Sequence, residues 1–148
     1  MPVVRVEQTV AAPLETVWGV IRDVEARTRL MGGMSSVDVR ETGPGYCVTA
    51  REAEMKGCLM RWTEREEIDD ERHRLETHLL DGDLAAMDGT WQLDRLGDGT
   101  VHVTLTVTFD IGVPELSDML DPVAERAIHD SSAKMLLSLA AVADTPVA

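Results

Sequence analysis

The spacing of apolar residues changes several times along the chain, and each change marks a predicted element. Apolar and polar residues alternate over residues 3–10, which is typical of a half-buried strand. A helix is predicted next, because Pro13 suits a first helical turn and apolar residues follow it on one face. Those residues are Leu14, Val17, Trp18 and Ile21, with Trp18 expected in the core. A short helical turn at residues 29–31 is predicted to stop at the glycine pair 32–33.

A period of two returns after this turn and predicts a run of six antiparallel strands. The predicted strands cover residues 36–41, 46–55, 58–68, 74–80, 86–96 and 100–111. Short turns such as Gly43-Pro44-Gly45, Lys56-Gly57 and Asp81-Gly82 suit hairpins between them. The last strand has the clearest alternation, with apolar residues on one face and histidine, threonine and aspartate on the other.

A long carboxy-terminal helix is predicted to begin at Asp121-Pro122, where an N-cap acid precedes a first-turn proline, and to end near residue 142. Its predicted inward face is Ala124, Ala127, Ile128, Ser131, Met135, Leu139 and Val142. Several of these are small, which leaves room for a ligand beneath the helix. The order of elements predicts one α+β domain over residues 1–148: a seven-stranded curved antiparallel sheet around the last helix, with two short helices after the first strand and an internal cavity.

Charge and cysteine content narrow the possible partners and the compartment. A formal net charge of -13 opposes binding to a phosphate backbone or an anionic membrane surface. No apolar stretch approaches the roughly 20 residues needed to cross a bilayer, and no signal peptide is recognisable, so a cytoplasmic location is expected. Cys47 and Cys58 lie on neighbouring predicted strands, but a reducing compartment predicts free thiols.

The sequence predicts neither a metal nor a nucleotide cofactor. The histidines lack metal-ligand spacing, and no glycine-rich phosphate loop or nucleophile elbow is present. His78 could act as a general acid or base, because an imidazole titrates near neutral pH. The pattern around it instead favours a surface residue, since Leu75 and Leu79 are the inward positions of that strand.

Several motifs together resemble one family, and they cover nearly the whole chain. They are Ala12-Pro13-Leu14-Glu15-Thr16-Val17-Trp18, Asp23-Val24-Glu25, the strand from Lys56-Gly57 to Trp62-Thr63-Glu64-Arg65, Asp81-Gly82, Gly89-Thr90-Trp91 and Leu120-Asp121-Pro122-Val123. They resemble the polyketide cyclase/aromatase branch of the helix-grip superfamily, also called START/Bet v 1-like or SRPBCC. That superfamily also holds lipid-transfer domains, so the resemblance implies the fold more directly than the activity.

The resemblance implies a catalytic site on the strand predicted at residues 58–68. The family's cavity arginine matches Arg65, and a small hydroxyl residue two positions earlier matches Thr63. A period of two then places Arg61 beside them on an inward face. The apolar residues of the same strand favour the opposite phase: Met60, Trp62 and Ile68. We predict the first phase, with Arg65 as carbonyl anchor and oxyanion partner, Arg61 supporting it and Thr63 orienting a proton.

Substrate-binding positions follow from the same resemblance. Trp91 matches a cavity-wall tryptophan, although a packed core tryptophan would fit equally, and Met87 shares its face. The family's second cavity arginine falls near His78, and the asparagine of its last helix falls near Ser131. Glu52, on the strand beside the arginines, would pair with them or act as a base; otherwise it forms a cross-strand salt bridge in solvent.

The residues that replace the family's aromatic lining predict a different kind of pocket. Aromatic positions near the cavity mouth fall at Arg27 and Met34, and aromatic residues are only 3% of the chain. Methionines such as Met34, Met87 and Met135 would make the pocket soft and aliphatic, which favours a shorter or reduced chain over a flat polyaromatic one.

Three functions fit this sequence. The first is a cofactor-free cyclase or aromatase that acts on a polyketide bound to an acyl carrier protein, by aldol cyclisation and dehydration. Docking of that carrier would need a local basic patch, for which Arg22, Arg27 and Arg29 are candidates. The second is a non-catalytic carrier of a quinone or lipid. The third is a protein-binding regulator, like the ribosome-associated members of the superfamily. A monomer or a homodimer is expected.

Overall fold

The computed structural model describes residues 3–29, 34–55, 58–82, 85–97, 99–110, 112 and 117–144. The strands are β1 (Val3–Val10), β2 (Met34–Gly43), β3 (Tyr46–Met55), β4 (Cys58–Asp69), β5 (Arg74–Gly82), β6 (Ala86–Arg95) and β7 (Val101–Asp110). The helices are α1 (Leu14–Arg22), α2 (Val24–Arg29) and α3 (Ser117–Asp144). The strands form one antiparallel sheet in the order β1-β7-β6-β5-β4-β3-β2. The antiparallel sheet, the two short helices and the long last helix are those of the predicted α+β fold, and the predicted bounds of β1 and β3 are confirmed.

The core lies between α3 and the concave face of the sheet. Apolar residues at alternate positions of β7, from Val101 to Phe109, are all buried on this face. From α3, Ile128, Met135 and Leu136 pack into the same apolar cluster as β1 and β7. Burial of this apolar cluster stabilises the fold. Within the described residues, no helix is long and apolar enough to span a membrane.

The cross-strand register shows which residues of β6, β5 and β4 share the concave face with the buried residues of β7. Leu105 lies opposite Trp91 on β6, and Trp91 lies opposite Leu75 on β5. Leu75 in turn lies opposite Ile68 on β4. Because side chains alternate between faces along a strand, Ile68 places Glu66, Glu64 and Trp62 on the concave face. All three are buried.

The predicted phase of β4 is therefore wrong. Arg61, Thr63 and Arg65 point to the outer, convex face, and the opposite phase favoured by the apolar residues is the one adopted. The physical reason is apolar burial: Trp62 and Ile68 can reach the core only if the two arginines face solvent.

The start of the last helix also differs from the prediction. α3 begins at Ser117, so Pro122 lies inside the helix and not in its first turn. Proline has no backbone N–H, and one helical hydrogen bond is absent at that position. The short helix α2 ends at Arg29; residues 30–33, which include the rest of the predicted helical turn, lie outside the described part of the chain, as does the Lys56-Gly57 turn.

Helix α1 is fixed to the turn that follows β4. The buried Trp18 indole donates a hydrogen bond to Asp70 Oδ1 at 2.7 Å, and Arg22 donates to both oxygens of Asp70 at 2.8 and 3.1 Å. These bonds, those from Arg22 first, hold the pKa of Asp70 below its usual value. The His73 ring meets Trp18 edge-on at 5.6 Å and contacts Glu15 at 3.0 Å. α1 is thereby held against the β4–β5 end of the sheet.

Candidate functional site

Four charged side chains form a buried cluster on the concave face. Arg51 comes from β3, Glu64 and Glu66 from β4, and Arg27 from α2. Their side chains are at most 7% exposed. Burial of a charged group is costly unless it is paired and hydrogen-bonded, so these four residues must neutralise one another. We call Arg27, Arg51, Glu64 and Glu66 the buried quartet.

Glu66 is the centre of the buried quartet. Both guanidinium groups donate to its Oε1, Arg27 through Nη2 and Arg51 through Nη2. Its other oxygen accepts from the Cys47 thiol at 3.4 Å. Arg27 also donates to the Ile21 carbonyl at the end of α1. One carboxylate thus joins α2 to two strands of the sheet.

The position of Arg27 is set by the start of α2. Asp23 Oδ1 accepts from the backbone N–H groups of Glu25 and Ala26 at 3.0 and 3.3 Å, which makes Asp23 the N-cap of this helix. Arg27 follows one turn later, and its backbone N–H donates to the Asp23 carbonyl at 2.9 Å. The capped turn directs the guanidinium group into the sheet.

Glu64 has fewer partners than Glu66. Its Oε1 forms an ion pair with Arg51 Nε at 2.8 Å, and its Oε2 accepts a hydrogen bond from the Trp62 indole N–H at 3.3 Å. The Arg51 Nε–H donates its hydrogen bond to the Thr49 hydroxyl oxygen at 3.0 Å. Burial raises the pKa of Glu64, the positive charge of Arg51 opposes that rise, and the negative charge of Glu66 adds to it. Glu64 therefore takes up a proton at a higher pH than an ordinary glutamate.

Trp62 can lie against β5 because its cross-strand partner is a glycine. Gly82 is opposite Trp62 and has a φ of 154°. A Cβ atom at this position would lie 2.5 Å from the Trp62 Cβ and 2.8 Å from the Arg61 carbonyl oxygen. The glycine thus permits the close approach that brings the indole N–H to Glu64.

Accessible apolar surface adjoins the buried quartet. Leu79, opposite Glu64, and Thr77, opposite Glu66, are only half-buried although they occupy concave positions of β5. Met87 on β6 and Met60 on β4 are also half-buried. The concave residues of β7, by contrast, are all buried beneath the helix. The concave face is therefore less completely covered around these half-buried positions, which leaves partly accessible apolar surface close to the buried quartet.

The reactivity of the Cys47 thiol, which contacts Glu66, tests the burial of the quartet. Desolvation, with a further contribution from the Glu66 carboxylate, raises the pKa of its thiol to about 11. Only the thiolate is a strong nucleophile. In a Cys58→Ser variant, in which Cys47 is the remaining thiol, we expect no reaction with a disulfide reagent in the native state and one thiol per chain in denaturant. Rapid reaction of the native protein would contradict the burial of Cys47.

Comparison with known proteins places this architecture in one family. The profile of the family described as polyketide cyclase / dehydrase and lipid transport matches residues 10–136. The chain belongs to this family. A protein from Thermus thermophilus superposes with a TM-score of 0.88 at 26% identity, over 97% of this chain and 100% of its own.

Two further solved structures share the fold. The ZhuI aromatase/cyclase from a Streptomyces species has a TM-score of 0.86 at 23% identity, over 97% of this chain and 93% of its own. A START superfamily protein from Mycobacterium smegmatis has a TM-score of 0.81 at 14% identity, over 96% of this chain and 97% of its own. No curated protein matches the sequence. These structures confirm the START/Bet v 1-like fold of this polyketide cyclase family member.

The structure does not bring the predicted catalytic residues into the concave site of this family member. The Arg65 guanidinium stacks 4.1 Å from the centre of the Tyr46 ring and pairs with Glu67 at 3.4 Å. Arg61 is 71% exposed and binds Glu52 at 3.0 Å. Thr63 lies between them on the outer face. The alternative reading of Glu52, a cross-strand salt bridge on a solvated face, is the one observed.

The predicted substrate-binding residues are divided between the two faces. Trp91 and Met135 are buried in the apolar core, and Met87 packs against that core from a half-buried concave position. His78 lies on the outer face and contacts Asp88 at 3.0 Å, as its surface interpretation predicted. Met34 is on β2 and Ser131 on α3, but their side chains lie outside the described part of the chain.

The predicted basic patch is not formed as proposed. Arg27 is buried in the quartet and cannot meet a partner protein at the surface. Arg22 is exposed but already binds both oxygens of Asp70. The side chain of Arg29 lies outside the described residues.

Among the residues that the structure describes, one group on the outer face has carboxylate and imidazole atoms close enough together for a cation. Ligand atoms of Glu67, Glu76 and His78 lie within 4.8 Å of one another. Both carboxylates are already paired, Glu67 with Arg65 at 3.4 Å and Glu76 with Arg74 at 3.0 Å. The two nearby arginines oppose the binding of a metal ion there, so we interpret this group as part of the surface ion pairs of the outer face.

The buried quartet is not among the predicted site residues, although the sequence contains a usable signal for it. Glu64 and Glu66 share the phase of Trp62 and Ile68, and Arg51 shares the phase of Cys47 and Thr49 on the neighbouring strand. Acidic residues that alternate with the apolar residues of one strand lie on its buried face. An arginine on the same face of the neighbouring strand then indicates a buried ion pair. The match between Arg65 and the family's cavity arginine favoured the opposite phase of the strand and so concealed this ion pair.

Proposed function

We propose that this protein is a cyclase/dehydrase that folds a poly-β-ketone against the concave face and promotes aldol cyclisation followed by loss of water. The observation that carries this proposal is the buried quartet beside half-buried apolar positions such as Leu79 and Met87. A polar group at one point of an apolar surface can orient a chain that is mostly hydrophobic but carries carbonyl oxygens.

We assign to Arg51 the role of binding the carbonyl oxygen of the substrate. When an α-hydrogen leaves as a proton, its bonding electrons pass to the carbonyl oxygen, and a nearby guanidinium group stabilises that enolate. The enolate carbon then attacks a second carbonyl of the same chain, whose oxygen takes up a proton before water is lost. Glu64 and Thr49 hold Arg51 Nε, which fixes the direction of the guanidinium group.

An acyl carrier protein is the partner we propose, because a poly-β-ketone of this kind is made on such a carrier. The similarity to ZhuI, an aromatase/cyclase, and the family description support the cyclase proposal. The small aromatic content of the chain supports a short or partly reduced substrate.

The test is product analysis of a reconstituted polyketide synthase with the wild type, Arg51→Met and Arg65→Met. We expect Arg51→Met to lower the yield of the defined ring by about 100-fold or more, which is typical for loss of an oxyanion donor. Arg65→Met removes a guanidinium from the outer face of the same sheet and should leave the products unchanged.

Circular dichroism and thermal unfolding establish that each variant is folded. A further variant, Arg51→Lys, keeps the buried charge while it removes the fork of N–H donors. Full cyclisation by folded Arg51→Met and Arg51→Lys would contradict the proposal, as would loss of cyclisation in Arg65→Met.

A second candidate is a carrier of a hydrophobic ligand, which the lipid-transport part of the family description favours. A carrier would leave the products of the synthase unchanged and would retain a lipid or quinone through purification. Mass spectrometry of the native protein, followed by organic extraction, separates this function from the cyclase.

A further inference from the structure

Proton transfer to the buried quartet can occur without a change in the total charge of the site. Arg27 and Arg51 balance Glu64 and Glu66 when both carboxyls are ionised. If a bound neutral ligand gives its proton to one of these carboxylates, the quartet becomes positive by one charge and the ligand negative by one. Net charge in a buried site is costly, so transfer within the site is favoured over release of the proton to solvent.

The partners of the two carboxylates indicate which of them accepts the proton. Glu66 is fully buried and is held by two guanidinium groups and the Cys47 thiol. Glu64 forms one ion pair, with Arg51 at 2.8 Å, and accepts one hydrogen bond, from the Trp62 indole N–H at 3.3 Å. Protonation of Glu64 therefore breaks fewer charge-assisted bonds.

The surroundings of Glu64 also make it a stronger base than an exposed glutamate. The charged groups that act on it are Arg51 from β3, Glu66 from its own strand and Arg27 from α2. Its neighbour on β5 is the half-buried Leu79, which is apolar. Desolvation is the largest influence and raises its pKa, towards the range that suits a general base near neutral pH.

We propose that Glu64 is the proton acceptor of this site, and that its ligands carry an acidic hydrogen, on a carbon between two carbonyls or on a phenol oxygen, and are bound as anions beside Arg51. The C–H or O–H bond of the ligand breaks, its electron pair stays on the ligand and is shared with the oxygen, and the proton forms an O–H bond on Glu64. No oxidant or other reactant is needed. This inference rests on the proposed function, because it places the ligand at the buried quartet.

The experiment compares an ionisable probe, 4-nitro-1-naphthol, with its methyl ether, which has no acidic hydrogen. Absorbance reports the charge of the bound naphthol, because the anion absorbs at longer wavelength. Calorimetry in two buffers with different ionisation enthalpies counts the protons released on binding. Both are measured over the pH range in which Glu64 is ionised in the free protein and the free probe is still neutral, with the wild type, Glu64→Gln and Arg51→Met.

For the wild type we expect the absorbance of the anion with no net release of a proton, because Glu64 takes it. Affinity should then vary little with pH over that range. In Glu64→Gln the anion still binds beside Arg51, but its proton must be released to solvent. The affinity should therefore rise by about tenfold for each unit of increase in pH. Arg51→Met should bind the probe in its neutral form. Glu67→Gln, altered at the adjacent position on the outer face, should behave as the wild type.

The outcomes distinguish this inference from the proposed function. If the methyl ether binds but the naphthol stays neutral in the wild type, the assignment of Glu64 is wrong and the ligand site remains. The assignment is also wrong if the wild type releases one proton per bound anion, as Glu64→Gln does. If neither probe binds to the folded wild type, the concave ligand site itself is absent and the proposed function fails.

Discussion

Replacement of Glu66 by glutamine is expected to lower the free energy of unfolding by about 3–5 kcal/mol, the range for removal of one partner from a buried ion pair. Glutamine keeps the shape of the side chain, but its single carbonyl oxygen cannot neutralise two guanidinium groups. Arg27 and Arg51 would then share Glu64 as the remaining carboxylate of the quartet. Urea unfolding at neutral pH measures the loss.

The neighbouring residue provides the matched control. Glu67 is one position along the same strand, on the outer face, and pairs with Arg65 at 3.4 Å with half of its side chain exposed. Its replacement by glutamine should cost less than about 1 kcal/mol, because exposed ion pairs contribute little. Equal losses for Glu66→Gln and Glu67→Gln would show that the two residues do not face opposite sides of the sheet.

Replacement of Trp91 by alanine is the second change with a large expected effect, a loss of about 3–5 kcal/mol in the free energy of unfolding. Trp91 is 4% exposed and lies between Leu75 and Leu105 on the adjacent strands. Alanine would leave a cavity that these neighbours cannot fill, because each is held in a regular strand. Thermal or urea unfolding provides the measurement.

This change also separates the two interpretations of Trp91. A tryptophan that lines an empty ligand site would cost much less stability when truncated, and the main change would be in ligand binding. Thr90→Ala, altered on the outer face of the same strand, should change stability by only about 0.5 kcal/mol. A stability loss for Trp91→Ala as small as that of Thr90→Ala would identify Trp91 as cavity wall.

The sequence was sufficient to predict the fold because the strongest patterns are local. The alternation in β7 and the helical spacing of Leu14, Val17 and Trp18 each indicate an element without knowledge of the rest of the chain. Short hairpin turns then leave few ways to order the strands. The start of α3 was missed because an acid before a proline is the usual signature of a helix start, and here it lies five residues inside one.

The site could not be predicted in the same way, because β4 carries charged residues in both phases. Arg61 and Arg65 occupy one phase and Glu64 and Glu66 the other. The choice depends on partners that are distant in sequence: Glu66 lies 15 residues from Arg51 and 39 from Arg27. Only the folded arrangement shows that acids on the concave face have two arginines to neutralise them, while the arginines of β4 have Glu52, Glu67 and Tyr46 outside.

The buried quartet also restricts how this sequence can diverge. Loss of any one charge leaves the others buried without a full set of partners, so stepwise replacement passes through chains of low stability. Joint replacement of all four by apolar residues of similar volume avoids that intermediate and is often neutral or stabilising. Arg27, Arg51, Glu64 and Glu66 should therefore be inherited or lost as a unit, and with them the polarity of the concave face.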